Sequence, residues 1–390
     1  MRDRYLSAPV LEDLGEASMV FVGGPRQVGK TTLATEVVGS RFQRVACYNW
    51  DNRSDRKTVM ASRWPADAEL IILDEFHKYR KWKSFIKGEY DKHKNRFKFM
   101  LTGSARMDVF RRGGDSLQGR YHHYRLHPFS LAEQLDARVP ITPFQEIVPG
   151  TRNARDELDT LEEYGGFPAP LLKQSPRFLR RWHREKLERL FVEDVQDMEA
   201  VRDIGSLKLL SDMLPERVGS LLSTNALRED LGVSFRAASH WLDILESLYY
   251  HFRIYPYTSK NVRSMKKTPK LYLWDWSEVR DPAGRFENLV ASHLLKLVHF
   301  LHDYEGYRAE LFFLRDVSKK EVDFLVCIEG KPWFAVEAKL NEKEIAPSLP
   351  LFKEKWHIPL CYQVVRTPGV DILSRGIRIV SADRFLASLK

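Results

Sequence analysis

The run Gly23-Gly24-Pro25-Arg26-Gln27-Val28-Gly29-Lys30-Thr31-Thr32 is the stretch whose residue types and spacing are most specific to one chemistry. Glycines at 24 and 29 let a backbone close around an anion, and consecutive N–H groups at a helix start supply positive potential. Lys30 can reach the outer phosphates of a nucleoside triphosphate, and the Thr31 hydroxyl can ligate magnesium. Gly24, Pro25, Arg26, Gln27, Val28, Gly29, Lys30, Thr31 and Thr32 are therefore expected to hold a nucleotide. The bland alternative is a glycine turn that binds nothing. Hydrolysis needs a carboxylate for the metal and a base for water, and Glu69-Leu70-Ile71-Ile72-Leu73-Asp74-Glu75 offers both at the end of an apolar run. Asp74 is expected to hold the ion, and Glu75 to orient and deprotonate the attacking water.

A further polar group closes the next apolar run, Phe97 to Thr102, where Gly103-Ser104 follows. Ser104 or Thr102 can sense the terminal phosphate; Ser104 can equally cap a short helix through Val109 and Phe110. In the basic stretch beyond, Arg120 is the first choice for an arginine that stabilises charge during hydrolysis and Arg112 the second, a surface role being as good a reading for either.

A second constellation lies near the C-terminus. Glu321-Val322-Asp323 and Glu337-Ala338-Lys339 sit in two β-prone runs joined by Ile328-Glu329-Gly330-Lys331-Pro332, which reads as a hairpin. If the turn centres on Gly330, Asp323 lies opposite Glu337, and Glu321 opposite Lys339. Opposed carboxylates about 5 Å apart repel unless a cation or proton intervenes. Asp323 and Glu337 are thus expected to bind one or two magnesium ions, with Lys339 orienting water and Glu287 as a third carboxylate. An exposed hairpin face with a salt bridge from Lys339 to Glu321 or Glu337 is the plain alternative.

The elements that must position these groups are legible in outline. Ser18 to Val22, the glycine run and a helical pattern through Leu33, Val37 and Val38 give strand, loop, helix. The run from Glu69 reads as a buried parallel strand, whose C-terminal edge is where open α/β sheets bind ligands. Arg138 to Arg155 reads as a linker, and helical patterns dominate from Asp156 to Ile204, with a solvated face formed by Glu193, Asp194, Asp197, Glu199 and Asp203. Ser206 to Trp276 carries three helical patterns and then a β-hairpin, a helix-turn-helix with a wing. Arg236 and His240 on the third helix and Lys260, Arg263, Lys266 and Lys267 on the wing can meet DNA phosphates, although such units also serve only to join domains.

Length and composition bound the rest. A chain of 390 residues exceeds one hydrophobic core, and 43% apolar with 29% charged residues excludes a disordered or fibrous protein. The net charge of +9 is a mild excess for this length; its distribution matters more. Between Lys78 and Lys98 nine Lys and Arg oppose two acids, interleaved with Tyr79, Trp82, Phe85, Tyr90 and Phe97, which suits a solvated helix face as well as a nucleic-acid contact. Between His251 and Lys270 six Lys and Arg meet no acid. Cys47, Cys327 and Cys361 lack metal-ligand spacing and read as core thiols. No apolar run reaches membrane-span length, and the charged first twenty residues do not form a secretory segment, so a soluble, cytoplasmic protein is expected.

These residues resemble the AAA-type P-loop ATPases. Asp74-Glu75, Thr102-Gly103-Ser104, Ser116-Leu117 to Gly119-Arg120, Leu126-His127-Pro128-Phe129-Ser130, Tyr48-Asn49-Trp50-Asp51, Glu163 to Pro168 and the C-terminal acids look like one prokaryotic family in particular. Its members join an AAA-type ATPase to a C-terminal domain of unknown function on a restriction-endonuclease-like fold. The D, E-x-K arrangement of that superfamily falls on Asp323, Glu337 and Lys339. The resemblance implies an α/β chain with an AAA-type core at 1–137, a linker and helical lid at 138–205, a winged helix at 206–280 and a nuclease-like domain at 281–390. It also implies ATP and Mg2+ as cofactors, DNA as a partner, no membrane partner, and a possible homo-oligomer, since an arginine finger can come from a neighbouring subunit. The rival reading is a nucleotide switch whose C-terminal domain only binds. A transporter or kinase P-loop protein fits less well, for want of membrane segments, an ABC signature and a reason for the basic wing.

Overall fold

The computed structural model describes residues 3–16, 19–104, 121–137, 139–195, 203–258, 267–341 and 344–390. The chain forms two compact units, Met1–His127 and Pro128–Lys390.

In the first unit α1 (Ser7–Glu16) precedes β1 (Met19–Gly23), and the glycine run leads into α2 (Lys30–Thr32), which continues as a wider helical turn over Leu33–Val38. Then follow β2 (Val45–Asn49), α3 (Arg53–Met60), β3 (Leu70–Asp74), α4 (Trp82–His93), β4 (Lys98–Gly103) and β5 (His122–Arg125). The five strands form a parallel sheet in the order β2-β3-β4-β1-β5. Every residue of β1 and of β3 is buried, as an unbroken apolar run in a sheet covered on both faces requires. Because β4 lies between β1 and β3, their adjacent C-terminal ends bring Gly23, Ser104 and Asp74 to one edge, with Val22 level with Thr102 and Asn49 level with Asp74.

Two sequence expectations change here. The aromatics between 78 and 98 are not available to stack on bases: Trp82 and Phe97 are core residues, with Tyr79, Phe85 and Tyr90 packed against the same cluster. Within α4 helical spacing turns Trp82, Phe85 and Tyr90 toward this cluster and leaves Lys92 exposed. Cys47 is not a core thiol; it is exposed on β2, an edge strand, while Cys327 and Cys361 are buried.

The second unit begins with α5 (Leu131–Gln134), closed by a capping box between Ser130 and Glu133. Residues 139–154 form neither helix nor strand but are strapped onto the rest of the unit. The Trp333 indole donates to the Gln145 carbonyl (2.9 Å), and the Ile147 amide donates to the Tyr362 hydroxyl (2.8 Å). Helices α6 (Arg155–Tyr164), α7 (Pro168–Lys173) and α8 (Pro176–Arg189) follow, then α9 (Ile204–Met213), α10 (Thr224–Leu231) and α11 (Phe235–Ser247). Of the acids expected to form a solvated face, Asp203 caps α9 by accepting from the Ser206 amide, Asp197 and Glu199 lie outside the described residues, and no side-chain position is described for Glu193 or Asp194.

Strands β6 (His251–Pro256) and β7 (Lys270–Leu273) pair antiparallel, as the hairpin reading requires. The hairpin is not free-standing, however. Together with β8 (Ala309–Arg315), β9 (Glu321–Ile328), β10 (Lys331–Lys339), β11 (Leu360–Val365), β12 (Asp371–Ser374) and β13 (Ile377–Ser381) it forms one mixed eight-stranded sheet, order β12-β13-β11-β10-β9-β8-β6-β7. Phe252, Ile254, Tyr272 and Trp274 need an apolar partner, and they find it with Leu158, Leu161 and the inner face of α12 (Pro282–Asp303) in a single large core. On the opposite face α13 (Ser348–Trp356) packs Leu349 and Phe352 against Leu325 and Ala335, and α14 (Ala382–Leu386) closes the chain.

Candidate nucleotide site and a second cluster of acids

The phosphate loop owes its shape to backbone conformations that few side chains tolerate. Gly24 and Gly29 have φ of 150° and 99°, and a Cβ at Gly24 would stand 2.5 Å from the Leu126 carbonyl oxygen. The Lys30 ammonium, buried, donates to the carbonyls of Gly24 (3.0 Å) and Pro25 (2.8 Å), so it faces the interior of the loop it must serve. Arg4, which the sequence did not single out, is buried and ties the loop down by donating to the Val28 and His127 carbonyls.

Asp74 gathers three donors. The Thr31 hydroxyl lies 3.0 Å from Oδ2, the Asn49 amide donates to Oδ2 at 3.0 Å, and the Thr102 hydroxyl donates to Oδ1. Thr102 also accepts from the Glu75 amide at 3.3 Å, so one hydroxyl fixes both acids. Glu75 has φ of 54°, a left-handed conformation that turns it out of the strand direction. Burial, then the neighbouring Asp74 charge, hold its carboxyl above the ordinary range, while Lys30, Lys78 and Arg26 pull the other way. Its Oε2 is 3.6 Å from Nδ1 of the buried His77, whose Nε2 is 2.8 Å from the Ser104 hydroxyl. A hydroxyl and a carboxylate oxygen sharing one point suit magnesium, and the amides and ammonium of the loop suit a polyphosphate, so the residues fit the group that the motif implies. Asn49 falls in one of the runs that carry the family resemblance, but its role comes from register, since it ends the strand beside Asp74. Arg112 and Arg120 lie outside the described residues.

The C-terminal acids come together by a different route from that expected. The turn centres between Glu329 and Gly330, both at positive φ (50° and 74°), so Lys331 pairs with Ile328 and Pro332 with Cys327. A bulge between Pro332 and Phe334 then shifts the register by one, and Val336 faces Phe324. Asp323 and Glu337 are consequently neighbours: the Asp323 amide donates to Glu337 Oε2 (3.3 Å) and the Ala338 amide to Asp323 Oδ2 (3.0 Å). Lys339 pairs with Glu337 Oε1 at 3.0 Å rather than with Glu321.

Glu321 is taken by two cations from other strands, Arg315 at 2.5 Å and Lys270 at 2.6 Å. Lys270, only 3% exposed, also lies 3.2 Å from Glu287 and 3.3 Å from Asp323. An ammonium thus stands among the carboxylates where the sequence asks for a metal. Among the described residues no group of three or more His, Cys, Asp or Glu is disposed to hold a metal ion. Burial works against the charge of Lys270, yet Asp323, Glu287 and Glu321 together raise its pKa. Burial, and then Asp323, push the Glu337 carboxyl up to about 8 and that of Glu287 up to about 7; Glu287 also accepts the Tyr272 hydroxyl at 2.7 Å.

Of the groups expected to face DNA, Arg236 and His240 are exposed on α11 and Lys267 is exposed just before β7, while Lys260, Arg263 and Lys266 lie outside the described residues. Arg253 is held by Glu246 and Asp243. Of the six cations between 251 and 270, therefore, Arg253 and Lys270 are engaged within the fold.

Residues 16–135 match the model of a family described as an AAA domain. The parallel sheet and the phosphate loop lie within this matched stretch, so the match and the fold agree on an AAA-type P-loop domain there. Residues 155–279 and 284–383 match two families each described as a domain of unknown function. An uncharacterized protein of Mycobacterium tuberculosis is 22% identical over 412 residues, spanning 99% of this chain and 87% of its own. The Walker-type ATPase of Pyrococcus abyssi is similar over 73% of this chain and 96% of that one, at 14% identity and a TM-score of 0.43. For the Thermotoga maritima RuvB Holliday junction branch migration motor the shares are 68% and 95%, the identity 16% and the TM-score 0.34. Among the described residues no helix is long and apolar enough to cross a membrane.

Proposed function

We propose that the chain binds ATP with Mg2+, hydrolyses it, and uses the cycle to act on DNA. The observation that carries the ATPase part is the meeting of Thr31, in the first turn of α2, with Asp74, at the end of β3 beside Glu75, at 3.0 Å. Bound Mg-ATP would supply an electrophilic phosphoryl group. Lys30 and the loop amides would hold its oxygens, Thr31 and Asp74 would hold the ion, and Glu75, with its raised carboxyl, is the group placed to take a proton from water. Thr102, near the end of β4, or Ser104, just beyond it, is proposed to sense the terminal phosphate. Arg120, or failing it Arg112, is the proposed charge-stabilising arginine, in cis or from a second copy. DNA is proposed from the exposed Arg236, His240 and Lys267 on a winged-helix arrangement at 206–280, and from the net charge of +9.

For residues 281–390 we propose a nuclease-like domain, supported by Asp323, Glu337 and Lys339 in the D, E-x-K order with Glu287 adjoining. One observation favours the second reading, a domain that binds without cutting: Lys270 already contacts Glu287, Glu321 and Asp323. Phosphate release with and without DNA tests the coupling, and an unchanged rate on every DNA tried would refute it. Nicking in Mg2+ or Mn2+ that vanishes in Asp323→Ala yet survives Lys30→Ala would establish the nuclease; no cleavage of any DNA leaves the binding domain.

A further inference from the structure

Beside the acid cluster, the ends of β6 and β8 and the end of α13 enclose an open groove of ≈ 570 Å³. Its walls are of two kinds. Tyr257 and Trp356 stand edge to face, with centroids 4.9 Å apart and planes at 82°, and both are partly exposed. Three cations border them: Lys267 and Lys355, both exposed, and Arg315. Among the described residues the one acid in the lining, Asp316, is committed to its own turn, accepting from the Lys320 amide (2.9 Å) and the Ser318 hydroxyl (3.2 Å). Aromatic faces within reach of cations are what a stacked base with its phosphates requires, and a volume of this order suits a ligand of one or two nucleotides.

We propose that this groove is a seat for single-stranded nucleic acid, a base stacking on Trp356 and Tyr257 while Lys267, Arg315 and Lys355 hold the flanking phosphates. A duplex presents its bases already stacked and paired, so the aromatic wall discriminates in favour of a single strand. The groove is also linked to the acids. Arg315 contacts Glu321 at 2.5 Å, Glu321 contacts Lys270 at 2.6 Å, and Lys270 lies 3.3 Å from Asp323. Arg315 thus links the rim of the groove to the acid cluster, and a phosphate held there competes with Glu321 for that guanidinium. The inference rests on the reading of the chain as a DNA-acting protein, and supplies the form of the substrate and where it binds.

The test is fluorescence anisotropy of a labelled oligothymidylate and of a labelled duplex with the full-length chain. Trp356→Ala and, separately, Lys355→Glu should each weaken oligothymidylate binding about tenfold or more and leave duplex binding within about twofold. Because Trp356 is partly packed, the exposed Lys355 guards against a loss caused by misfolding. Parent-like oligothymidylate binding in both variants would overturn the groove while leaving the DNA reading intact. Failure of the parent chain to bind either probe would sink that reading itself. Thymidine monophosphate competing at oligonucleotide concentrations would overturn the strand in favour of a free nucleotide, and polyglutamate displacing the strand equally well would overturn nucleic acid as the occupant.

Discussion

Lys270→Met removes the cation from the C-terminal acids while keeping the volume of the side chain, so any loss is electrostatic rather than a cavity. Breaking a buried ion pair by deleting one partner costs about 3–5 kcal/mol, because the remaining charges are left uncompensated. In a unit of this size that corresponds to a melting temperature lower by roughly 10 °C. The sign of the pH dependence is fixed by Glu287 and Glu337. Both have folded pKa values raised from 4.5, to about 7 and about 8. The folded state therefore holds more protons than the unfolded one between those limits, and its stability falls as pH rises through the window. Lys270 pulls Glu287 down, so without it the carboxyl rises further. The deficit of the variant should therefore grow as pH rises through about 7, where Glu287 loses its proton in the folded state. Thermal melts followed by circular dichroism across that range measure it. Adding Asp323→Asn should restore part of the loss, with a coupling of about 1 kcal/mol or more. A deficit independent of pH, or none at alkaline pH, would refute the role given to Lys270.

Glu75→Gln should keep ATP affinity within about threefold and lower turnover at least about a hundredfold, measured by nucleotide titration and phosphate release; retained turnover excludes Glu75 as the base. Thr31→Ala should reduce the magnesium dependence of nucleotide affinity, because Asp74 alone is left to hold the ion, and isothermal titration in EDTA and in Mg2+ would detect it. Arg4→Ala should weaken nucleotide binding without touching any nucleotide contact, about tenfold, through loss of two bonds that hold the Val28 and His127 carbonyls; unaltered affinity would make Arg4 merely a fold residue. Arg236→Glu with His240→Glu should weaken duplex binding and flatten its salt dependence, read from anisotropy at several ionic strengths, while an unchanged slope would remove α11 from the interface.

The nucleotide site was legible because its chemistry and its local structure are encoded together. Gly24 to Thr31 specify a loop conformation as well as an anion site, and the apolar run before Asp74 specifies a buried strand whose end is the binding edge. Contacts made by register or from a distance left no such mark. Asn49 reaches Asp74 because β2 pairs with β3, and Arg4 reaches Val28 across 24 positions of chain. The C-terminal hairpin was legible in its faces but not in its cause. A turn centred on Gly330 alone would have set Asp323 opposite Glu337 directly; the chain instead turns on Glu329 and Gly330 and recovers that register with a bulge near Trp333. Lys270 was hidden because it sits at the end of a basic stretch that looked solvent-directed. Its burial follows from β6 pairing with β8, a contact between segments more than fifty positions apart.

That pairing decides how the acid cluster can work. A lysine carried on β7 contacts carboxylates carried on α12 and β9, so the hairpin and the sheet share one electrostatic unit. A divalent ion could enter only by displacing the ammonium or by joining Asp323 and Glu337 on the side away from it, releasing the protons that burial keeps on Glu287 and Glu337 near neutrality. Lys339 lies 3.0 Å from Glu337. A cutting domain and a binding domain therefore differ here by the balance between one buried ammonium and one ion, not by a missing residue. Anything that draws Arg315 away from Glu321 frees that carboxylate to hold Lys270 more strongly, and so shifts the balance at Asp323.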